Sequence, residues 1–238
     1  MRTTSSPLRA LRPFLALAAL APVAASAQVI FIDFGGGGSS ETSEPGKSWN
    51  NVTGVGTSDS AIALLDYNTN LASGLSYEIT DAFLASNGQG DQLTVGEFPV
   101  NATRDSFYGD NSNPLGQIEF TGFDPGKQYT FTFLSSRDSV SGNRSTLFTV
   151  TGAGTSSVAI NSALATPETG TIFSITPSVS GSFVLDVTKD AANDNSSGFY
   201  YLNALKIEAV SSTIPEPSAA AALLGLGALG LCVLRRKR

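Results

Sequence analysis

The middle of the chain alternates two kinds of residue with a period of two. Across 129–133, three aromatic residues alternate with two threonines, and across 183–187, three apolar residues alternate with Val184 and Asp186. Successive side chains of a β-strand point to opposite faces, so each of these segments is expected to bury one face. No long pattern with the 3.6-residue period of a helix appears between the two ends of the chain, which predicts an all-β protein.

Ten segments have this alternation or are rich in β-branched residues, and we predict strands at 29–34, 61–65, 75–80, 117–121, 128–135, 145–151, 157–160, 171–176, 182–188 and 200–209. Turn clusters such as 124–127 and 179–182 separate them, and each is expected to join its flanking strands as a hairpin. So many short strands predict an antiparallel β-sandwich, in the form of a jelly roll.

The C-terminal segment, 214–238, has three parts. Pro215, Glu216 and Pro217 precede sixteen apolar or small residues at 219–234, and four cations end the chain. A sixteen-residue helix is about 24 Å long, slightly shorter than the ~30 Å hydrocarbon core of a bilayer. The pattern predicts a short transmembrane helix at 219–234 with its basic end in the cytoplasm.

This order of Pro-Glu-Pro, short helix and basic end resembles the PEP-CTERM sorting signal of exported bacterial proteins. The resemblance implies an exosortase as partner, which recognises the Pro-Glu-Pro region and removes the helix. The protein would be anchored in the inner membrane as a precursor and then reach the cell surface or extracellular matrix. The alternative is an ordinary C-terminal anchor that is never cleaved.

The N-terminal segment, 1–27, is typical of a secretory signal peptide. Three arginines precede an apolar run of about twelve residues, and Ala25 and Ala27 supply the small residues that signal peptidase accepts. The mature chain is therefore expected to begin at Gln28. This divides the chain into a signal peptide at 1–27, a β-sandwich domain at 28–210 and a sorting segment at 211–238.

The part between the two signals is strongly acidic. Seven of the fourteen cations and one of the twenty acidic residues lie in the terminal segments, so the body keeps seven cations and nineteen acids, a formal charge near −12. Such a body repels polyanions, which excludes nucleic acid as a partner. The one cysteine, Cys232, lies in the predicted anchor, so the body folds without disulfides.

The chain contains no histidine. A Ser-His-Asp or Cys-His nucleophile and a histidine-bearing metal site are therefore excluded. Paired carboxylates would still suffice for a glycoside hydrolase, but no pair stands out among the nineteen acids. We expect that the protein is not an enzyme and has no cofactor.

Calcium is the one candidate ion, because it takes carboxylate and amide oxygens as ligands. The loop at 190–195 groups four such residues, Asp190, Asn193, Asp194 and Asn195, and the loop at 110–113 is similar. The alternative is that these side chains stabilise their own turns without an ion.

A sugar site requires an aromatic face beside polar groups that bond to hydroxyls. One candidate set is Trp49 with Asn50 and Asn51. The other candidates are Arg104, Asp105, Tyr108 and Arg137. Two alternatives stay open: Trp49 as a buried anchor between the sheets, and the arginines in salt bridges with Asp105 or Asp138.

Four segments of the body resemble the galactose-binding-like and malectin-like jelly rolls of bacterial surface proteins: 31–35, 49–51, 122–131 and 200–207. The resemblance implies contact with carbohydrate or matrix. We therefore expect an exported envelope or matrix protein that binds exopolysaccharide, a neutral or weakly basic one given the acidic body, or that serves as a structural module. The alternatives are a secreted glycan-active enzyme that uses paired carboxylates and a surface subunit without a glycan site.

Overall fold

Fourteen strands and one short helix make up the part of the chain that the computed structural model describes, residues 27–36 and 46–210. In chain order they are β1 Val29–Phe34, β2 Asn50–Val52, β3 Ile62–Leu65, β4 Ala72–Asp81, β5 Ala85–Asn87, α1 Val100–Arg104, β6 Ser106–Gly109, β7 Leu115–Thr121, β8 Tyr129–Leu134, β9 Ser145–Thr151, β10 Thr155–Asn161, β11 Thr169–Ile175, β12 Ser182–Lys189, β13 Tyr200–Leu202 and β14 Ala204–Ala209.

The strands form three sheets. Sheet A has the order β11-β8-β14-β1-β2, sheet B the order β10-β9-β12-β7-β4-β3, and the small sheet C the order β13-β6-β5. All pairs are antiparallel except β1 and β2, which run parallel. Consecutive strands repeatedly pass from one large sheet to the other, as in a jelly roll, so the described residues form a β-sandwich.

The main core lies between sheets A and B. It takes one face of each strand, and Ile30, Ile32 and Phe34 of β1 pack there against Phe131, Phe133 and other side chains of both sheets. The other face of β1 is also buried, because Val29 and Phe31 belong to a second apolar cluster on the outer side of sheet A. This second cluster is covered by residues that precede and include α1, among them Phe98 and Ala102.

The strand predictions are confirmed for all ten segments, with ends that differ by up to three residues. The predicted strand at 200–209 is divided at Asn203 into β13 and β14, and three short strands, β2, β5 and β6, have no counterpart among the predictions. Each of these three is only three or four residues long, too short for a period-two pattern to stand out.

The hairpin prediction for the two turn clusters is wrong. The turn at 124–127 joins β7 in sheet B to β8 in sheet A, and the turn at 179–182 joins β11 in sheet A to β12 in sheet B. The local chemistry is as expected, since the Asp124 side chain accepts from the Gly126 N–H at 2.9 Å. A tight turn reverses the chain, but it does not decide whether the next strand pairs with the previous one or crosses the sandwich.

The predicted signal peptide, apart from Ala27, and the predicted transmembrane helix at 219–234 lie outside the described residues. The first cleavage-site residue, Ala25, is likewise outside them, while Gln28 lies directly before β1 and donates from its side chain to the Ser73 carbonyl at 2.7 Å. Among residues 27–36 and 46–210, no helix has the length and apolar character to cross a membrane.

Candidate functional site

Sheet C presents an aromatic surface away from the core. Phe107 and Leu202 point into the core, so their neighbours Tyr108 and Tyr201, which pair across β6 and β13, point outward. Phe199 lies beside both, with ring centroids 5.9 Å from Tyr108 and 6.4 Å from Tyr201. Tyr108 and Phe199 are half-buried, whereas Tyr201 is buried. We call Tyr108, Phe199 and Tyr201 the aromatic surface.

Arg144 covers one side of the aromatic surface. Its guanidinium carbon lies 5.4 Å from the centre of the Phe199 ring, a cation–π arrangement. Its Nη1 donates to the Tyr201 hydroxyl at 2.6 Å. These two contacts hold the guanidinium beside the Phe199 and Tyr201 rings.

A second feature is an open pocket of about 360 Å³, and we call it the polar pocket. It is lined by Gln89, Gln92, Arg137, Asp138, Ser139 and two glycines, Gly88 and Gly90. Arg137 is fixed in the wall: its Nη1 donates to the Gln89 carbonyl at 2.7 Å and the Asp138 carbonyl at 3.1 Å, and its Nη2 donates to the Gln89 side chain. Amide, carboxylate, hydroxyl and guanidinium groups thus surround one opening.

Two connections link the pocket wall to the aromatic surface. Ala85 of β5 pairs with Tyr108, and the chain continues from β5 directly into the pocket wall at Gly88. On the other side, the Ser162 carbonyl accepts from the Arg137 N–H at 2.7 Å, and the Ser162 N–H donates to the Arg144 carbonyl at 3.4 Å. Arg137 and Arg144 therefore belong to one loop, between β8 and β9, that borders both features.

Trp49 lies elsewhere. Its side chain is 8% exposed and packs in the second apolar cluster, 4.7 Å from Phe31 and 6.4 Å from both Tyr67 and Phe98, measured between ring centroids. Of the two interpretations that the sequence left open, the structure therefore favours the buried anchor, which lies on the outer side of sheet A. The expected role of Trp49 as leading sugar contact is not compatible with this burial.

The two asparagines beside it differ. The Asn50 side chain donates to the carbonyls of Phe31 and Leu65, at 3.0 Å each, and accepts from the Leu65 N–H at 2.8 Å. The Asn50 amide thus forms its hydrogen bonds within the protein, where it connects β1, β2 and β3. Asn51 is exposed on β2.

Arg104 and Asp105 lie at the end of α1. The Arg104 carbonyl accepts from the Gly90 N–H at 2.6 Å, so this end of the helix contacts the pocket wall, and the Arg104 side chain is exposed. Asp105 is 2% exposed, and neither of its carboxylate oxygens has a hydrogen-bond partner among the described residues. The salt bridges that the sequence suggested for Arg104 and Arg137 are not among the three ion pairs of residues 46–210.

The carboxylate of Asp105 packs against the backbone of Gly35. A Cβ atom at position 35 would lie 2.1 Å from the Asp105 Cγ, so only glycine fits there. Burial raises the pKa of Asp105 to about 6, although the nearby backbone N–H of Asp105, the charge of Arg104 and the backbone N–H of Gly36 each oppose the rise.

The candidate calcium residues make hydrogen bonds within their own loop. Asp190 accepts from the Ala192 N–H at 2.9 Å, and Asp194 from the Asn143 N–H at 2.6 Å. Asn193 donates to the Ser145 and Phe199 carbonyls at 3.1 and 2.8 Å, and the Asn195 side chain accepts from the Phe199 N–H at 3.4 Å. These contacts match the turn-stabilising alternative, and they position Phe199. Within 27–36 and 46–210, no three acidic, histidine or cysteine side chains are grouped together.

Of the residues that the sequence suggested for a sugar site, Tyr108 belongs to the aromatic surface and Arg137 lines the pocket, whereas Phe199, Arg144 and Gln89 were not among them. The aromatic run Phe199-Tyr200-Tyr201 was the available signal, since a strand with alternating faces cannot bury all three rings in the same core. Nothing in the local sequence marks Arg144 or Gln89, because their roles come from contacts with segments 45 or more residues away.

Comparison with known protein families identifies the C-terminal segment. Residues 213–238 match the PEP-CTERM protein-sorting motif. The chain ends in a PEP-CTERM motif. The motif implies an exported protein that is anchored in the membrane during transit and is processed by an exosortase, as the sequence predicted.

Solved structures with a similar fold share little sequence with this chain. TmCBM61 in complex with β-1,4-galactotriose has 12% identity and a TM-score of 0.33, and the match covers 57% of this chain and 88% of that one. The ANXUR1 extracellular domain from Arabidopsis thaliana has 12% identity and a TM-score of 0.37, over 67% of this chain and 53% of that one. At these scores the likenesses carry no inference about a ligand. No curated protein matches the sequence.

Proposed function

We propose that this exported protein is a carbohydrate-binding component of the cell envelope or extracellular matrix, and that it binds polysaccharide at the aromatic surface and the polar pocket. The observation that carries the proposal is the half-exposed pair Tyr108 and Phe199, held beside an opening lined by amide, hydroxyl and charged groups.

The aromatic part of the surface suits the apolar face of a sugar ring. The two half-exposed rings have centroids 5.9 Å apart and planes inclined by 68°, an edge-to-face pair that we call the platform, in which one ring at a time offers its face to a sugar. Tyr201 beneath them and Arg144 beside them hold the rings in place, so little conformational entropy is lost when a ligand stacks on them.

The pocket suits the polar edge of the same ligand. Its volume of about 360 Å³ is at the lower end of the range for small-molecule sites, which is enough for one sugar residue. Gln89, Gln92 and Ser139 offer both donors and acceptors, as hydroxyl groups require. In a bound polysaccharide, one sugar ring would stack on the platform and a neighbouring sugar would lie in the pocket.

Binding is favoured over catalysis by the placement of the acids. Asp105, the acid whose pKa is raised, is buried against Gly35 and does not line the pocket, where Asp138 is the one carboxylate. A glycosidase requires two carboxyl groups on opposite sides of a bound sugar. The PEP-CTERM motif implies export, which supports a role outside the cytoplasm, where exopolysaccharide is found.

Affinity electrophoresis of the full chain in mild detergent, on gels that contain single polysaccharides, tests the proposal. We expect retention by at least one polysaccharide, and Phe199→Ala should weaken binding about tenfold, or ~1.4 kcal/mol. Phe173→Ala is the matched control, because Phe173 is 74% exposed on the edge strand β11, in sheet A and away from the aromatic surface.

The control variant should bind as the unaltered chain does, and a thermal melt should show that both variants are folded. If the folded protein is retained by no polysaccharide, the assignment as a carbohydrate-binding protein fails and the structural-subunit alternative replaces it. If Phe173→Ala and Phe199→Ala weaken binding equally, the site has been placed on the wrong surface.

A further inference from the structure

We propose that the site selects sugars that carry a carboxylate, such as uronic acid residues, and that Arg137 and Arg144 supply the recognition. This inference rests on the proposed function, because it names the ligand class of the same site. It follows from how the cations of the body are distributed and paired.

All seven cations of the body lie within the described residues. Lys127 pairs with Asp124 at 3.6 Å, and Lys206 pairs with Glu97 at 2.5 Å and Glu208 at 2.8 Å. The other five have no described carboxylate within ion-pair distance. Of those five, three are exposed to water, and the two that are half-buried are Arg137 and Arg144.

Both half-buried guanidinium groups contact only neutral acceptors. Arg137 donates to the backbone and side chain of Gln89 and to the Asp138 carbonyl, and Arg144 donates to the Tyr201 hydroxyl. The Nε atom of each is buried and has no hydrogen-bond partner among residues 27–36 and 46–210. Partly buried charges in proteins are normally paired, and here nineteen acids were available to a body with seven cations.

A ligand carboxylate would provide a charged partner at the Nη atoms, because the buried Nε atoms are closed to a ligand. Guanidinium groups bind carboxylates with two parallel hydrogen bonds, and the arrangement is strongest where water is partly excluded. Arg137 is held in the pocket wall and Arg144 is held against the rings, so both are positioned before a ligand arrives. A uronic acid ring could stack on the platform while its carboxylate reaches an arginine at the border.

The overall negative charge of the body disfavours binding of densely charged polyanions, but it does not prevent contact between one carboxylate and an arginine. A body near −12 repels a distant anion, but salt screens that repulsion beyond about 8 Å at physiological ionic strength. A carboxylate within hydrogen-bond distance of a guanidinium is governed by the local pair. Asp138 lines the same pocket and Asp194 lies at the same loop, so a sugar with widely spaced carboxylates fits better than one with a charge on every residue.

Trisaccharides with one uronic acid residue and their methyl esters test the proposal, since each pair differs in one charge and one methyl group. Isothermal titration of the full chain in mild detergent would use trimers in which one residue is galacturonate, glucuronate or mannuronate and the other two are neutral, each as acid and as ester. We expect at least one acid to bind tenfold or more tightly than its ester, and the advantage should shrink as salt is raised.

Arg144→Gln and Arg137→Gln should each remove most of that preference. Lys127→Gln is the matched control, because it removes the same charge at a turn distant in the fold, and it should leave the preference unchanged. Arg144→Lys, which keeps the charge but not the two-pronged geometry, should keep part of the preference if the glutamine variants do not fold.

The comparison of acid with ester needs no variant. Equal or tighter binding of the esters in all three series would overturn the inference, and so would a preference that survives in folded Arg137→Gln and Arg144→Gln. If the trimers do not bind while a neutral polysaccharide retains the protein, the inference fails but the proposed function stands. If no carbohydrate of either set binds, the proposed function fails as well.

Discussion

The single tryptophan shows how burial assigns a role to one residue. Trp49, Phe31, Tyr67 and Phe98 form a ring cluster that seals the outer side of sheet A, with Trp49 8% exposed. The indole contributes apolar area to a second core and none to an open surface. Its contribution is therefore to the free energy of unfolding.

Trp49→Ala should lower the free energy of unfolding by about 3–5 kcal/mol, because it leaves a cavity in a cluster of close-packed rings. Chemical denaturation measures the change. Trp49→Phe, which keeps most of the ring packing, should cost much less. A Trp49→Ala protein that melts like the unaltered chain but has lost sugar binding would contradict the buried position.

Asp105 makes stability depend on pH. Its folded pKa of about 6 is above the ordinary value of 3.8, so the folded state holds the proton more tightly than the unfolded state does. The stabilisation is complete below about pH 4 and is lost as the pH rises through 6. From the size of the shift, roughly 2 kcal/mol of the free energy of unfolding is lost between pH 4 and pH 7.

Asp105→Asn should remove this loss, because the amide has the shape of the protonated acid and carries no charge. Denaturation at pH 4, 5.5 and 7 should show a flatter profile for the variant and a higher stability than the unaltered chain at pH 7. Asp138→Asn, an exposed acid in the pocket, serves as control and should keep the original slope. A slope unchanged by Asp105→Asn would mean that another group is responsible.

At the scale of elements, a side chain adds to the backbone pairing that holds the parallel strand β2 against β1. It is three residues long, and the Asn50 amide bonds to both β1 and the end of β3, which lie in different sheets. Asn50 thus links the two large sheets at one edge of the sandwich, so this candidate sugar-site residue has a structural role.

Asn50→Ala should lower the free energy of unfolding by about 1–3 kcal/mol, because two carbonyls and one N–H lose their partner. Asn50→Asp should also destabilise, since a carboxylate accepts from Leu65 but cannot donate to the carbonyls of Phe31 and Leu65. Thermal melts report stability and affinity electrophoresis reports binding. A loss of polysaccharide affinity in folded Asn50→Ala would return this residue to the binding site.

At the scale of the whole molecule, the β-sandwich and the sorting motif occupy separate segments of the chain. The site lies in the β-sandwich, and the PEP-CTERM motif lies at 213–238, after the last strand ends at Ala209. Changes in one are therefore not expected to alter the folding of the other.

Replacing Pro215, Glu216 and Pro217 with alanine should leave the sandwich folded but keep the protein uncleaved in the inner membrane. Membrane fractionation with a gel that resolves the loss of about twenty residues measures the effect. Alanine at Ser211 and Ser212, just before the motif, is the control and should not change processing. Release of the altered chain at its normal size would contradict recognition of the Pro-Glu-Pro region.

The sequence alone determined the fold class, ten of the strands and the sorting of the chain. Each of these depends on local patterns: alternation in strands such as 129–133 specifies a half-buried strand wherever it occurs, and a linear motif acts through its own residues. A local pattern also predicted the turn at 124–127. It did not predict which sheet the following strand joins.

Only the tertiary structure decided which residues meet. Tyr108 and Tyr201 become neighbours through the pairing of β6 with β13, and Arg144 reaches Tyr201 across 57 residues of sequence. Trp49 is buried because residues near α1 cover the outer side of sheet A, which no local pattern at 49–51 indicates. Period-two alternation says that one face of a strand is covered, but what covers a face, and which side chains stay open to a ligand, depends on long-range packing.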